Sequence, residues 1–220
     1  MKRYLPFFIV IAVGLIAFGS AIAFYRAERP ILTTLKETGE EGTRTVHVRG
    51  NPKAKVTLEE FGDYQCPPCG KLAEPINQLE KAYRPNLRVI FRNFPLPLHA
   101  HARQAAEAAE AAGLQGKFWE MHDLLYREQA GWSKAADVRP LFISYAGLVG
   151  LDVPRFEKDL DGEAARSKVT ADQKYGSAMK IQNTPTIFLN NRSLDPKSLN
   201  PDGLREAVEA ELKKQKKPGT

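Results

Sequence analysis

Apolar and polar positions predict a strand, a helix and a second strand early in the main body of the chain. Lys55–Phe61 has the two-residue period of a strand, and Leu87–Phe94 is a second run rich in Val, Ile and Phe. Between them, Lys71–Tyr83 has apolar residues at intervals of three to four, the period of a helix. This order predicts a parallel strand pair joined by a crossover helix.

A block of helices is predicted next, at about residues 99–179, where alanine is frequent and the apolar period is helical. The predicted helices are His101–Gly113, Gly116–Gln129, Val138–Gly150, a short one capped by Asp152, and Ala164–Met179. The chain then returns to a strand at Thr184–Asn190 with a hairpin partner at residues 192–194, and a last helix starts at Asn200-Pro201 and runs to about Leu212. The order predicts an α/β fold with a mixed sheet and a helical insertion.

The N-terminal 25 residues predict a targeting segment. Lys2 and Arg3 precede an uncharged run, and residues 5–25 are long enough as a helix to cross a bilayer core of about 30 Å. Positive charges before the apolar run favour a cytoplasmic position for residues 1–4 and an extracytoplasmic one for the rest. The segment near Ala23 also fits a signal-peptide cleavage site, so a retained anchor and a secreted, cleaved form are both open.

The formal net charge of +6 is located at the two ends of the chain. Lys2, Arg3 and the four lysines of a basic tail at 213–220 account for it, so residues 4–212 have no formal net charge. A balanced body does not favour nucleic acid as a partner. Residues 26–45 are polar and predict a linker in front of a domain at 46–212.

Cys66 and Cys69 are the only cysteines, and the two residues between them are prolines. The spacing suits half of a zinc or copper site, a structural staple or a catalytic dithiol. A staple of so short a loop constrains the unfolded chain little. A metal needs further ligands, and the spacing of His99 and His101 is not the usual one, so the four histidines are expected at the surface or at helix starts. We expect no metal and, without a glycine-rich phosphate loop, no organic cofactor.

A catalytic dithiol fits the position of the pair between a strand and a helix. Cys66 is expected near the N-cap, where free N–H groups and the helix dipole lower a thiol pKa below about 8.5 and make the thiolate a nucleophile. Cys69, one turn further, is the predicted buried thiol that resolves the mixed disulfide. Pro67 and Pro68 have no N–H, so only the Cys69 N–H is left to donate to the Cys66 thiolate.

Four segments together resemble DsbA-like thiol-disulfide oxidoreductases, the membrane-anchored or secreted bacterial branch of the thioredoxin superfamily. The segments are FGDYQCPPCG, FRNFPLPLHAHA, QGKFWEMHDLLY and NTPTIFLN. The resemblance covers roughly Val46–Leu212 and implies a thioredoxin-like fold with an inserted helical subdomain. It also implies that Thr184 precedes a cis-proline, Pro185, beside the disulfide, and that Glu60 is a buried acid that assists proton transfer to Cys69.

Physical arguments support these implied roles separately. Glu60 shares a strand face with Val56 and Leu58, so burial is expected to raise its pKa towards the working pH. The backbone of Thr184 is placed to pair with a substrate peptide as an added strand, although sequence alone does not select the cis form of Pro185. The aromatic residues nearby are expected to pack in the core rather than to line a substrate surface; they are Phe61, Tyr64 and Phe94.

The expected function is therefore an extracytoplasmic oxidoreductase that donates the Cys66–Cys69 disulfide to folding polypeptides through a mixed disulfide at Cys66. A reductase or isomerase of the same fold and a CxxC metal-binding or metallochaperone module are the alternatives. The family implies a single-pass protein of the bacterial cytoplasmic membrane, with its domain in the periplasm and a quinone-reducing membrane thiol oxidase as partner. With no third cysteine and no separate dimerisation domain, a monomeric oxidase is favoured. Strongly oxidising relatives have histidine between the cysteines, so Pro68 predicts a weaker oxidant.

Overall fold

The computed structural model of the protein describes residues 46–216. Within this range five strands form one mixed sheet in the order β1-β3-β2-β4-β5. The strands are β1 (His47–Gly50), β2 (Val56–Gly62), β3 (Leu87–Asn93), β4 (Thr186–Leu189) and β5 (Arg192–Ser193). The predicted mixed sheet is confirmed, and β1, a short strand that the apolar pattern did not indicate, adds an antiparallel neighbour to β3.

The same range contains eight α-helices and one short 3₁₀ helix, Pro196–Ser198. Six of the α-helices, α2 to α7, lie between β3 and β4 and form the predicted helical insertion. The helices are α1 (Pro67–Ala82), α2 (Ala102–Gly113), α3 (Phe118–Arg127), α4 (Gln129–Trp132), α5 (Arg139–Leu148), α6 (Val153–Leu160), α7 (Glu163–Ala178) and α8 (Pro201–Lys216).

The strand pairing confirms the predicted crossover unit. β2 and β3 are parallel, with Val56 opposite Leu87, and α1 connects them. β4 is antiparallel to β2, and it forms the predicted hairpin with β5. The crossover places the start of α1 at the end of β2, where the two cysteines follow.

Helices cover both faces of the sheet. On one face, apolar residues of β2 and β3 pack against α1 and α8, with Leu72 and Leu204 buried between the layers. On the other face α7 approaches closely: a Cβ at Gly176 would lie 2.6 Å from the Phe94 ring, so only glycine fits there without a shift. The buried core therefore surrounds β2, the strand that leads into the cysteine pair.

Two helix boundaries differ from the prediction by four residues. α1 begins at Pro67 rather than Lys71, because proline is compatible with the first turn of a helix and the N-cap is Cys66. α8 starts at Pro201 as predicted, with Asn200 Oδ1 accepting from the Gly203 N–H, but it continues past Leu212 to Lys216. Lysines near a helix C-terminus interact favourably with the helix dipole, which explains the extension into the predicted basic tail.

Between residues 46 and 216 the structure has no helix long and apolar enough to span a membrane. The predicted targeting segment at residues 5–25 and the linker at 26–45 lie outside the described residues, as do residues 217–220 of the predicted tail.

Candidate active site

The structure brings the predicted site residues together where β2 meets α1. Cys66 is the N-cap of α1, with extended backbone angles of φ −72° and ψ 118°, and Pro67 and Pro68 are the first two helical residues. Cys69 lies within the first turn. Both thiols are free and buried, with 4% of Cys66 and 0% of Cys69 exposed.

Side chains of the helical insertion hold the loop that contains Cys66. Gln129, the first residue of α4, donates from Nε2 to the carbonyl oxygens of Tyr64 at 2.7 Å and Cys66 at 2.9 Å. Gln65 donates to the Ser133 carbonyl at 3.0 Å and accepts from the His101 N–H at 2.7 Å. These bonds join the loop to segments far along the chain and fix its position before any substrate binds.

Asp63 also holds this loop in place through hydrogen bonds. Its buried carboxylate accepts from the N–H of Gln65 at 2.7 Å and of Leu96 at 2.9 Å, and it lies 2.7 Å from His99 Nδ1. His99 and His101, the close pair considered above as metal ligands, thus have hydrogen-bonding roles in this loop network.

Hydrogen bonding lowers the pKa of the Cys66 thiol from 9.0 to about 6. The largest cause is the hydrogen bond with the Cys69 side chain, with smaller contributions from Thr184 and from the Cys69 backbone, all acting against burial. The direction agrees with the prediction, and the Cys69 N–H is among the donors because neither proline has one. Cys66 is therefore suited to be a thiolate at neutral pH.

Cys69 has the opposite character. Burial is the largest cause that raises the pKa of its thiol well above the ordinary value, and the hydrogen bond with Cys66 and the charge of Glu60 add to it. The pKa values of two thiols one helical turn apart are thus displaced in opposite directions, the lower one suited to a nucleophile and the higher one to a group that keeps its proton.

Thr184 and Pro185 lie directly beside Cys66. Cys66 Sγ is 3.3 Å from the Thr184 carbonyl oxygen, and the Thr184–Pro185 peptide bond is cis. A groove with a cavity volume of about 680 Å³ begins here. Its lining includes Pro68, Leu72, Thr184, Pro185, Phe188 and Leu199.

Glu60 lies on β2, on the face covered by α1, with 2% of its surface exposed. Its Oε1 has no hydrogen-bond partner within residues 46–216. Burial, with a smaller contribution from the charge of Cys66, raises the pKa of this carboxyl from 4.5 to about 8. The predicted direction is confirmed, and the group can hold or release a proton near neutral pH.

Sequence reasoning missed one buried histidine. His122 of α3 is 5% exposed and bonds through Nδ1 to Tyr64 Oη at 3.0 Å, so the expected surface position was wrong for it. The spacing of four residues from Phe118 and three from Leu125 places it on the apolar face of its helix, a signal that the pattern contained. The expectation that Phe61, Tyr64 and Phe94 pack in the core is confirmed.

In the part of the chain that the structure describes, no three His, Cys, Asp or Glu side chains group in a way that could hold a metal ion.

Known proteins share both the sequence and the fold. The profile of the family described as Thioredoxin matches residues 42–210. The chain is 40% identical over 147 residues to "Na(+)/H(+) antiporter NhaA 1" of Salinispora arenicola, a match that covers 66% of this chain and 22% of that protein. The chain therefore spans about a fifth of the length of this relative.

Two solved structures extend the likeness. BdbD from Bacillus subtilis is 28% identical with a TM-score of 0.67, and the match covers 76% of this chain and 92% of that one. A thioredoxin-like oxidoreductase from Silicibacter pomeroyi is 27% identical with a TM-score of 0.60, over 74% and 92% of the two chains. With a family profile matched over most of its length and an N-cap dithiol beside a cis-proline, the chain belongs to the thioredoxin family and is a DsbA-like thiol-disulfide oxidoreductase within it.

Proposed function

We propose that this protein exchanges disulfides with cysteine-containing polypeptides outside the cytoplasm, with Cys66 as the thiol that forms the mixed disulfide, Cys69 as its resolving partner, and oxidation of the substrate as the working direction. The observation that supports it most is the opposite displacement of two thiol pKa values within one helical turn, beside the Thr184 carbonyl. A thiol with a low pKa is both a good nucleophile and a good leaving group, so Cys66 forms and releases mixed disulfides readily.

The oxidising reaction has two steps. A substrate thiolate attacks Cys66 Sγ of the Cys66–Cys69 disulfide, so that the Cys66–Cys69 bond breaks, a substrate–Cys66 bond forms, and Cys69 leaves as a thiolate that takes up a proton. A second substrate thiolate then attacks the substrate sulfur of this mixed disulfide, and Cys66 leaves as a thiolate. The substrate loses two electrons and gains a disulfide, while the enzyme gains two electrons and becomes the dithiol.

The groove beside Cys66 is the proposed site for the polypeptide. Phe188 and Leu199 provide apolar surface, and the backbone next to Pro185 is available to pair with an extended chain. Recognition through main-chain hydrogen bonds and shallow apolar contacts suits many unrelated unfolded segments, which is what a general disulfide donor must bind.

The extracytoplasmic site of action is supported by the charge order at Lys2 and Arg3 before the apolar residues 5–25. We assign these residues to a single-pass membrane anchor, with cleavage near Ala23 as the alternative. The enzyme acts as a monomer, and a quinone-reducing membrane thiol oxidase is the partner that restores its disulfide. The antiporter activity in the name of the relative from Salinispora arenicola is not transferred, because the match covers only 22% of that protein.

The deciding experiment is the equilibrium redox potential of the Cys66–Cys69 pair against glutathione, read by thiol labelling. A potential clearly above that of thioredoxin, about −270 mV, is expected for a disulfide donor, and a value at or below it would assign the reducing direction instead. Cys69→Ala should accumulate mixed disulfides with substrates on non-reducing gels, whereas Cys66→Ser, the matched control, should accumulate none. Trapping by Cys66→Ser but not by Cys69→Ala would reverse the assigned order of attack.

A further inference from the structure

A small cavity is lined by both Glu60 and His122. It offers about 10 Å³ to the centre of a water molecule, which is room for about one water. Its polar lining comes from Glu60 of β2, Asn77 of α1, His122 of α3 and Arg49 of β1, and apolar side chains such as Ile76 and Phe91 form the rest. A water there would have several polar partners, which is the condition for an ordered buried water.

The hydrogen bond with Tyr64 fixes which nitrogen of His122 holds the proton. Burial raises the pKa of the Tyr64 hydroxyl well above 10, so this hydroxyl stays protonated and donates. Burial, followed by the charges of Arg49 and His47, lowers the pKa of His122, so the imidazole is neutral. With Nδ1 accepting from Tyr64 at 3.0 Å, the proton of the ring is on Nε2.

We propose that His122 is a positioning residue for the proton of Glu60: its Nε2–H donates to a single water in this cavity, and the water donates to the Glu60 carboxylate. Glu60 Oε1, which has no hydrogen-bond partner among residues 46–216, then acquires one. The inference deepens the proposed function, on which it rests, because it assigns the control of the proton that Cys69 exchanges.

The outer side of the cavity leads to solvent through a polar cluster. Arg49 Nη2 donates to both carboxylate oxygens of Asp123 at 2.9 Å, and Asn77 Nδ2 donates to Asp123 Oδ1 at 3.1 Å. The Asp123 side chain is 37% exposed, so this cluster extends from Arg49 and Asn77 in the cavity lining to the surface, and none of its three residues lines the substrate groove. A proton can therefore reach Glu60 without crossing the bound polypeptide.

The chemistry of the relay balances in either direction. In the oxidising direction Cys69 leaves as a thiolate and takes the proton of the Glu60 carboxylic acid. The resulting carboxylate takes a proton from the water, and the water is restored by a proton from solvent. In the reverse direction the Glu60 carboxylate takes the proton of the Cys69 thiol, and the Cys69 thiolate attacks Cys66 Sγ, so that the substrate leaves as a thiolate. A donor aimed at the carboxylate stabilises its charged form and brings its pKa down towards neutral pH.

Several other charged or titratable groups surround this pair and belong to the elements packed against it. Of the groups named next, only Tyr64 and Tyr126 are changed in the variants that test the proposal. They are Cys66 at the N-cap of α1, Cys69 of α1, Arg49 and His47 of β1, Asp123 and Tyr126 of α3, Glu110 of α2, and Tyr64 and Asp63 of the loop before Cys66.

The test uses the full chain and a step whose rate depends on the Glu60 carboxylate. In this step Cys69 attacks a preformed mixed disulfide between Cys66 and a small thiol. The rate at which the small thiol is released is measured as a function of pH. His122→Phe keeps an aromatic ring among its aromatic neighbours but removes both nitrogens. We expect the midpoint of the profile to shift upward by about one pH unit, with the plateau rate at high pH within about twofold. The ¹³C shift of the Glu60 carboxyl, titrated in the reduced protein, should move in parallel.

Two tyrosine-to-phenylalanine variants test the relay even if His122→Phe folds poorly. Tyr64→Phe removes the hydroxyl that fixes the His122 tautomer, so a smaller upward shift is expected. Tyr126→Phe removes a buried hydroxyl of the same aromatic group that makes no hydrogen bond within the described part of the chain, so no shift is expected. Unchanged profiles for both His122→Phe and Tyr64→Phe would overturn the relay while leaving the oxidoreductase intact. A wild-type protein that exchanges no disulfide would instead overturn the proposed function.

Discussion

Glu59 and Glu60 are adjacent residues of β2, and the alternation of a strand directs them to opposite faces of the sheet. Both are buried, with 8% and 2% of their surfaces exposed. Glu59 accepts from Arg92 Nε at 2.8 Å, whereas Glu60 Oε1 has no hydrogen-bond partner among the described residues. Two neighbouring glutamates of one strand thus lie in different environments, one beside an arginine and one without a hydrogen-bond partner among the described residues.

On the Glu59 face, the charges are compensated. Arg92 also donates to Asp172 of α7 at 3.2 Å, and Asp172 accepts from the Asn93 N–H at 3.0 Å. Burial raises the pKa of Asp172 to about 6 although the charge of Arg92 acts in the opposite direction. On the other face no cation among the described residues forms an ion pair with Glu60, and burial raises the pKa of this carboxyl to about 8. Pairing fixes the insertion on the sheet, and the absence of pairing keeps a proton exchangeable.

Arg92→Met tests the compensated face and is expected to have the largest effect. It leaves Glu59 and Asp172 buried without their cation, so unfolding in urea at pH 7 should require about 3–5 kcal/mol less. Arg103→Met is the matched control, since Arg103 pairs with Glu107 at the surface, where an ion pair contributes about 0–1 kcal/mol. Equal losses for the two variants would show that the Arg92 cluster has no special importance.

Glu60→Gln and Glu59→Gln should change stability in opposite directions. The folded protein keeps the Glu60 proton up to pH about 8 while the unfolded chain releases it near 4.5, so ionisation disfavours folding as the pH rises through this window. At pH 7 the reduced Glu60→Gln protein should therefore be more stable than wild type by on the order of 3 kcal/mol, with no gain at pH 4. Glu59→Gln should lose about 1–3 kcal/mol. Parallel pH profiles for wild type and Glu60→Gln would contradict the buried, protonated acid.

Gly176→Ala tests the packing of the compensated face without altering charge. The added Cβ would lie 2.6 Å and 2.7 Å from atoms of the Phe94 ring, so a loss of about 1–2 kcal/mol is expected. Gly147→Ala in α5 is the control, because its Cβ would meet only Val153 at 3.9 Å, and it should gain up to about 1 kcal/mol. A gain in both variants would mean that α7 is free to move away from the sheet.

Pro68→His tests the uncompensated face and should have the smallest effect. It restores an N–H and adds an imidazole beside the Cys66 thiolate, so the pKa of Cys66 should fall below about 6 by less than one unit and the redox potential should rise. The thiolate absorbance at 240 nm against pH measures the first change and glutathione equilibration the second. An unchanged pKa and potential would show that the prolines do not weaken the oxidant.

The crossover unit of β2, α1 and β3 could be predicted because its apolar period is regular and its cysteines mark the junction. The position of Glu60 followed from the same alternation. Strand β1 could not be predicted, because its residues, His47–Gly50, are few and have no clear apolar period. The Glu59–Arg92–Asp172 cluster joins residues 33 and 80 positions apart, and the Tyr64–His122 bond spans 58 positions, so only tertiary packing reveals them.

The two prolines between the cysteines also determine where the redox state can be observed. Pro67 and Pro68 have no amide proton, so α1 presents its first amide signal at Cys69. The Cys66 amide, which donates to the Asp63 carbonyl at 3.1 Å, is the last amide before the two prolines. Amide-detected NMR and hydrogen exchange would thus register oxidation as a paired response at Cys66 and Cys69, one reporter for the loop and one for the helix.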